Sequence, residues 1–396
     1  MEIKKSVLVV GGGIAGLTTA QSLADFGIKI TLVDKSLSAG GLLKDLGFVF
    51  PTNDCALCYE PSGYSFTAES IRKCQYRAAF AIHPNIEIAC PAEIHEAKKD
   101  KNGILATIKW HPRKVDPEKC VACGLCADVC PHNAVYLPHP QAIPRAYWID
   151  ESKCDTSKCK KECVEACIVN AFVLEDEGKT ETRTFDAVAL ATGFTEQRPT
   201  YLPYGLDKLE ETITQVELAN LLDTMKVKEF LGPNGEKINQ VLMILCAGSR
   251  DTRSTEECST LCCSYSLKHA IRLRELGVEV TIAFMDIRTP GHLEELYSTA
   301  RESGVHFIRG RPGFIEKDEN GKLHAFIEDT RQGKIQEIDI DLVVLAANLE
   351  ITEPQLDIWG DIPTFKIGNQ RLLNIPQTTN QAKSVALEIL GDFIES

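Results

Sequence analysis

Long apolar runs, basic blocks and an amino-terminal leader pattern are all missing from this 396-residue sequence. The longest apolar stretches, such as Ala187 to Ala191 and Val241 to Cys246, fall well short of the ~20 residues a membrane-spanning helix needs. The net charge of −13 is spread along the chain, so no footprint for nucleic acid or an anionic membrane is visible. "MEIKKSVLVVGGGIAG" enters a strand-like pattern at once, without the architecture of a signal peptide. The expected location is therefore the cytoplasm, any membrane attachment being made through partners. There is no Ser-His-Asp arrangement, no zinc-protease motif and no low-complexity linker, and His83, His111, His132 and His139 show no ligand spacing. The remaining composition, 44% hydrophobic and 25% charged, is that of a globular chain with room for one large core or two to three ordinary ones.

Cysteine is abundant. Sixteen residues fall into the sets Cys55/Cys58/Cys74/Cys90, Cys120/Cys123/Cys126/Cys130, Cys154/Cys159/Cys163/Cys167 and Cys246/Cys258/Cys262/Cys263. Disulfide-stapled domains are small and secreted, so grouped cysteines in a chain of this size point to metal or redox chemistry.

The chain opens with "VLVVGGGIAGLTTAQSLADFGIKITLVD". A β-branched run leads into Gly11-x-Gly13-x-x-Gly16, then a helix-compatible stretch, then a second strand ending at Asp34, 18 residues beyond Gly16. That order sets backbone N–H groups and a helix N-terminus against a pyrophosphate, with the acid placed for a ribose. Gly40 and Gly41 in "SAGGLL" resemble the second glycine turn of FAD flavoproteins. "FDAVALATGF", with Ala191, Thr192 and Gly193, is similar to the segment crossing back under the FAD. FAD is the expected dinucleotide.

Between these segments "CVACGLCADVCP" has the bacterial ferredoxin spacing C-x2-C-x2-C-x3-C-P, whose fourth cysteine serves the other cluster. Its partner run, Cys154 to Cys167, is looser at C-x4-C-x3-C-x3-C. Crossed ligation would give Cys120, Cys123, Cys126 and Cys167 one 4Fe–4S cluster, and Cys154, Cys159, Cys163 and Cys130 a second. Paired C-x2-C motifs also make zinc ribbons, but the three-cysteine run with Pro131 argues for iron and sulfur.

"INQVLMILCAGSRD" and "HAIRLRELGVEVTIAFMD" carry the strand, helix and strand of a second Rossmann-like lobe, with no glycine fingerprint between them. Cys246, Cys258, Cys262 and Cys263 stand there instead. Four converging thiolates hold a 4Fe–4S cluster; the bland reading is a buried apolar cysteine group.

"CAGSRD…CSTLCCSYSLKHA", "FPTNDCALC", "AVYLPHPQAIP" and the glycine fingerprint together resemble the A subunits of the heterodisulfide reductase family, together with those of quinone-interacting oxidoreductases and benzoyl-CoA reductase assemblies, over residues 5–350. The resemblance implies an α/β fold, an FAD-binding thioredoxin-reductase-like double Rossmann fold with an inserted ferredoxin domain holding two 4Fe–4S clusters. It also implies that Cys246, Cys258, Cys262 and Cys263 ligate a third cluster beside the flavin. Lys268 matches a flavin-side lysine and Glu217 a second flavin-side group; by themselves both read as helix-surface residues. Implied partners are members of a larger complex, heterodisulfide reductase B/C-like, hydrogenase-like or other redox subunits, with ferredoxin as a further electron partner and a homodimer within the complex. Cys55, Cys58, Cys74 and Cys90 stay open between a fourth cluster, a flavin-contacting or redox pair, and structural cysteines.

Relatives close the flavin site with a glycine-alanine-rich turn before the last helix, and only "FKIGNQ" corresponds to it here. The final helix is expected over 379–394, with Ala382, Val385, Ala386, Ile389 and Leu390 at helical spacing. The expected architecture is an FAD lobe from 1–110, 179–235 and 351–396, a ferredoxin insertion at 111–178, and a second Rossmann-like lobe at 236–350, with helices on both faces of each parallel sheet. The expected function is an electron-transfer subunit that exchanges pairs at FAD with single electrons at 4Fe–4S clusters, with bifurcation or confurcation open. The alternatives are a self-contained NAD(P)H-dependent FAD and iron–sulfur oxidoreductase, against which the missing fingerprint argues, and a scaffold with a degenerate flavin site.

Overall fold

The computed structural model describes residues 4–42, 48–49, 54–55, 83–138, 142–155, 157–222, 229–352, 356–368, 373 and 375–395. Two parallel five-stranded sheets organise them. The first runs Phe365–Lys366, Ala187–Leu190, Ser6–Val10, Lys29–Val33, Ile86–Ala89. The second runs Thr212–Thr214, Leu342–Ala347, Gln240–Ala247, Glu279–Phe284, His306–Arg309.

Successive strand side chains point to opposite faces, and Ser6–Val10, Ala187–Leu190, Gln240–Ala247 and Leu342–Ala347 are apolar at every position after the first because both faces are covered. Val7 and Val9 pack with the Ile14–Ala24 helix and the last helix, while Leu8 enters a different core with Ile94, Ile108 and Phe185. In the second lobe Val241, Met243 and Leu245 face helices, while Leu242 and Ile244 meet Ala325 and Ile327.

The covering differs from the expected helices on both faces. One face of each sheet lies under an antiparallel three-stranded sheet, Ala92–Asp100/Gly103–Trp110/Lys179–Phe185 in the first lobe and Pro312–Lys317/Leu323–Asp329/Lys334–Ile340 in the second. Alternation accounts for it: Ile104, Ala106 and Ile108, and likewise Leu323, Ala325 and Ile327, are buried at every second residue. The lobe boundary differs too. Residues 179–235 were expected in the first lobe, yet Thr212–Thr214 hydrogen-bonds along Leu342–Ala347 and extends the second sheet, because its three side chains are buried there.

An antiparallel ribbon, Phe194–Glu196 against Leu349–Ile351, lies where the chain passes between the two sheets in each direction. The last helix, Ile375–Glu395, begins a turn earlier than its apolar spacing suggested, with Pro376 in the first turn, where a missing N–H costs nothing. It packs on Ile14–Ala24 through small residues, Thr19 Oγ1 donating to the Ala382 carbonyl at 3.4 Å. Among the described residues no helix is long and apolar enough to cross a membrane.

Candidate functional site: a glycine cradle and three cysteine groups

The first strand ends in Gly11 with φ +104°, and the Gly11 N–H donates to Val33 O at 2.8 Å. A Cβ there would lie 2.1 Å from Ala191 O, and one on Gly16 would lie 1.9 Å from Gly11 O. Neither position admits a side chain, so backbone alone lines this turn. The following 11-residue helix has Gly13 as N-cap, no side-chain cap and no acid in its first turn, which leaves N–H groups and the positive end of its dipole for an anion. Gly40 N donates to Gly12 O at 2.7 Å and fastens the second glycine turn to the first. Ala191 N bonds Val10 O at 2.8 Å, and beyond it Thr192 Oγ1 donates to Thr352 O at 2.6 Å. Asp34 accepts Gly12 N at 2.5 Å and Ser36 N at 2.7 Å, so its carboxylate braces the loop as well as ending the second strand. Ser38 Oγ, Thr18 Oγ1 and two nitrogens of Arg113 are buried near these segments without a hydrogen-bond partner. A narrow backbone cradle with buried, unsatisfied donors fits a dinucleotide.

In the insertion the helices are four residues long, Leu125–Asp128 and Glu162–Glu165, each entered through a left-handed residue, Gly124 and Lys161. Cys120, Cys123, Cys126 and Cys167 line one pocket with Val115, Tyr147 and Phe172. Cys130, Cys154, Cys159 and Cys163 line a second with Pro131, His132 and Ile149. The two halves are alike beyond their cysteines. Each has Cys-x-x-Asn-Ala, with Asn133 and Asn170 left-handed, and the alanine N–H reaching back to sulfur: Ala134 N to Cys130 at 3.3 Å, Ala171 N to Cys167 at 3.2 Å. Burial pushes the Cys126 thiol up to about 11, helped by the neighbouring Cys120. Burial also acts on Cys130, but the N–H groups of Ala134, His132, Val135 and Asn133 outweigh it and leave that thiol below its ordinary value. Packed thiols that resist ionising beside one another are suited to a cation that displaces their protons.

Cys246 ends the central strand of the second sheet, left-handed at φ +58°. A tight return follows it: Asp251 N to Thr255 O at 3.0 Å, Arg250 N to Glu257 O at 3.1 Å, and Asp251 gripping Arg253 through both oxygens. The chain thus comes back to Cys258, whose sulfur accepts Thr260 N at 3.4 Å, and to Cys262 and Cys263 at the start of a 14-residue helix. Cys246, Cys262 and Cys263 are buried, Cys258 half-buried. Hydrogen bonding to Cys262, then burial, holds the Cys246 thiol far up. Cys263 lies below its ordinary value because Cys262 donates to it, and it senses both Cys246 and Cys258. All four thiols therefore share one neighbourhood at a helix N-terminus, a donor set that fits iron–sulfur ligation.

Lys268 is half-buried one turn along that helix and has an interaction partner. Glu217 is engaged on both oxygens: Oε2 accepts Thr214 N at 2.8 Å in a reciprocal capping box, and Oε1 accepts Arg198 at 2.8 Å. Sequence reasoning missed the groups between. Glu196, on the inter-lobe ribbon, is pushed up to about 7 by burial, and Tyr265 beside it is raised by burial while donating to Ala347 O at 3.2 Å. His269 Nδ1 lies 2.6 Å from Gln215 Oε1 in the same core. Arg113 was missed as well: its Nη1 donates to Cys90 O at 3.0 Å where the first lobe meets the insertion. A lone arginine or glutamate carries no spacing signal.

Cys58, Cys74 and His139 lie outside the described residues, as do Asn369 and Gln370 of "FKIGNQ". Cys55 belongs to a two-residue strand pairing with Phe48–Val49. Cys90 is buried away from the other described cysteine groups, and burial pushes its thiol up to about 11. Gly368 N donates to Gln381 Oε1 at 2.9 Å, tying the altered carboxy-terminal turn to the last helix.

Residues 9–69 match a family model for an NAD(P)-binding Rossmann-like domain and residues 113–136 one for a 4Fe–4S binding domain. Among curated proteins, the iron-sulfur A subunit of the CoB–CoM heterodisulfide reductase of Methanocaldococcus jannaschii is 36% identical over 372 residues, covering 88% of this chain and 54% of that protein. The A subunit of the ferredoxin:CoB-CoM heterodisulfide reductase of Methanosarcina acetivorans is 30% identical over 401 residues, covering 88% and 48%. The chain spans about half the length of the curated relatives it matches. Among solved structures, thioredoxin reductases of T. acidophilum and Lactococcus lactis align over 99% of this chain and all of theirs, each with a TM-score of 0.53, at 15% and 13% identity. The fold is therefore the thioredoxin-reductase-like double Rossmann fold, carrying a 4Fe–4S domain as an insertion.

Proposed function

The chain is a relative of the heterodisulfide reductase A subunits, and from that premise we propose that it is the flavin and iron–sulfur electron-transfer subunit of a multi-subunit oxidoreductase. FAD is the dinucleotide held by Gly11, Gly13, Gly16, Asp34, Gly40, Gly41 and the Ala191–Gly193 return. In the insertion, 111–178, Cys120/Cys123/Cys126/Cys167 and Cys130/Cys154/Cys159/Cys163 hold one 4Fe–4S cluster each, and Cys246/Cys258/Cys262/Cys263 hold a third.

One observation carries the reading. In an open parallel sheet a nucleotide binds at the carboxyl ends of the central strands, and in the second lobe that place is taken by Cys246 and its three companions. A nicotinamide lobe without its glycine turn but with four converging thiols is adapted to electrons, not hydride. FAD takes up a pair and each cluster carries one electron, so their combination divides or merges pairs. The protein side supplies donors and charge. A bound pyrophosphate would meet the N-terminus of Ile14–Ala24, Cys262 and Cys263 open the helix that carries them, N–H···S bonds reach Cys130, Cys167 and Cys258, and Lys268 would offer a cation to the flavin ring. Partner subunits, with ferredoxin as a further electron partner, would supply and drain the electrons.

Anaerobic iron and acid-labile sulfide per FAD test the proposal directly. About twelve irons per FAD are expected from three clusters, and eight or fewer would remove the Cys246 group from the cofactor set. The purified protein should not be bleached by NADH or NADPH alone; rapid flavin reduction by either would favour a self-contained NAD(P)H-dependent enzyme.

A further inference from the structure

We propose that Arg250 is the charge-positioning residue of the Cys246 group, its guanidinium fixed by Asp286 beside the cysteines so that a cluster ligated there accepts an electron at a higher potential. The inference rests on the third-cluster reading above and adds a residue to it.

Arg250 and Cys246 are both left-handed, with φ +55° and +58° around an intervening Gly248 at +85°. Non-glycine residues keep that conformation only when surrounding structure demands it. Here the double turn folds the Arg250 side chain back over the strand end it follows. Asp286, just past the neighbouring strand, fixes the outer edge of the guanidinium, with Nη2 to Oδ2 at 3.0 Å. Asp286 in turn has Arg309 Nη2 3.8 Å from its other oxygen, and its carbonyl lies 3.9 Å from Cys263 Sγ. The inner nitrogen, Nη1, is buried with no hydrogen-bond partner, and the guanidinium lies within electrostatic reach of Cys246. A buried guanidinium nitrogen without an acceptor is costly, and sulfur atoms of a thiolate-ligated cluster would supply one. Each electron accepted there adds a negative charge, which a fixed cation offsets in surroundings screened from water. Arg250 is partly exposed, so its charge is attenuated but not lost.

Arg250→Asn removes the charge with a residue that tolerates the left-handed backbone, and Arg250→Lys keeps a charge without the planar fork. Both are made in the full protein purified with its partners, and the midpoint of the cluster signal abolished by Cys262→Ser is followed in an EPR-monitored redox titration. The expected result is a shift to lower potential in Arg250→Asn, iron content and FAD unchanged, with a smaller shift in Arg250→Lys. An unshifted midpoint in Arg250→Asn, or an equal shift in both variants, overturns the proposal. If Cys262→Ser loses neither iron nor signal, the third-cluster reading itself fails, and the role of Arg250 with it.

Discussion

The insertion and the second lobe both gather cysteines, but they do so by opposite means. In the insertion the buried cluster among the described residues is Val115, Cys126, Val135, Ile149 and Ala171, and half of the partly buried residues packed on it are further cysteines. In the second lobe Cys246, Cys262 and Cys263 are three of twenty-four buried residues among the described ones, in a core already complete with Val241, Leu245, Leu267 and Ile282. Apolar area buried sets how much of the folding free energy a region supplies for itself. The insertion is therefore expected to depend on bound clusters for its fold, whereas the second lobe has an apolar core of its own around its thiols.

Iron removal gives the largest expected contrast. Anaerobic chelation should strip hydrogen-exchange protection from residues 113–174 while Gln240–Ala247 and Leu342–Ala347 stay protected; equal loss in both regions would break the comparison. Next in size is Cys262→Ser, expected to remove about four irons per chain and leave FAD bound, with little change in thermal midpoint. Unchanged iron content would sink the third cluster. Core truncation sharpens the same point. Leu245→Ala, fully buried in the large core, should cost about 2–5 kcal/mol in the main unfolding transition, whereas Ile149→Ala should loosen only the insertion and leave that transition in place. Smallest is the effect of charge at the inter-lobe ribbon. The Glu196 carboxyl is raised to about 7 in the folded protein, above its unfolded value, so it opposes folding increasingly as pH rises from about 4.5 through 7. Glu196→Gln should therefore raise stability relative to the parent by about 1–3 kcal/mol at pH 8.5 and by almost nothing at pH 4.5, read from chemical denaturation at both pH values.

Short-range features were readable directly. The Gly11–Gly16 turn, the strand ending at Asp34 and the ferredoxin spacing each rest on residues within a few positions of one another, and local geometry leaves them few arrangements. Helices were expected over both sheet faces because apolar strands show only that they are covered. What covers them is decided by the alternating Ala92–Trp110 and Leu323–Ile340 segments, far along the chain. The same distance hid Thr212–Thr214, whose place in the second sheet depends on a strand about 130 residues later. Glu196, Arg113 and Arg250 had no motif at all, and Glu217, picked out by likeness, turned out to cap its own helix.

By itself the sequence determined which chemistries were available: backbone cradles where side chains cannot fit, and thiols at spacings that bring ligands together within one turn. Tertiary structure decided that Cys246 would meet Cys262 at the mouth of a parallel sheet, and that the Arg250 guanidinium would come near Cys246. Burial and electrostatic strength depend on what surrounds a group in space, and those surroundings come from strands and helices distant in the chain.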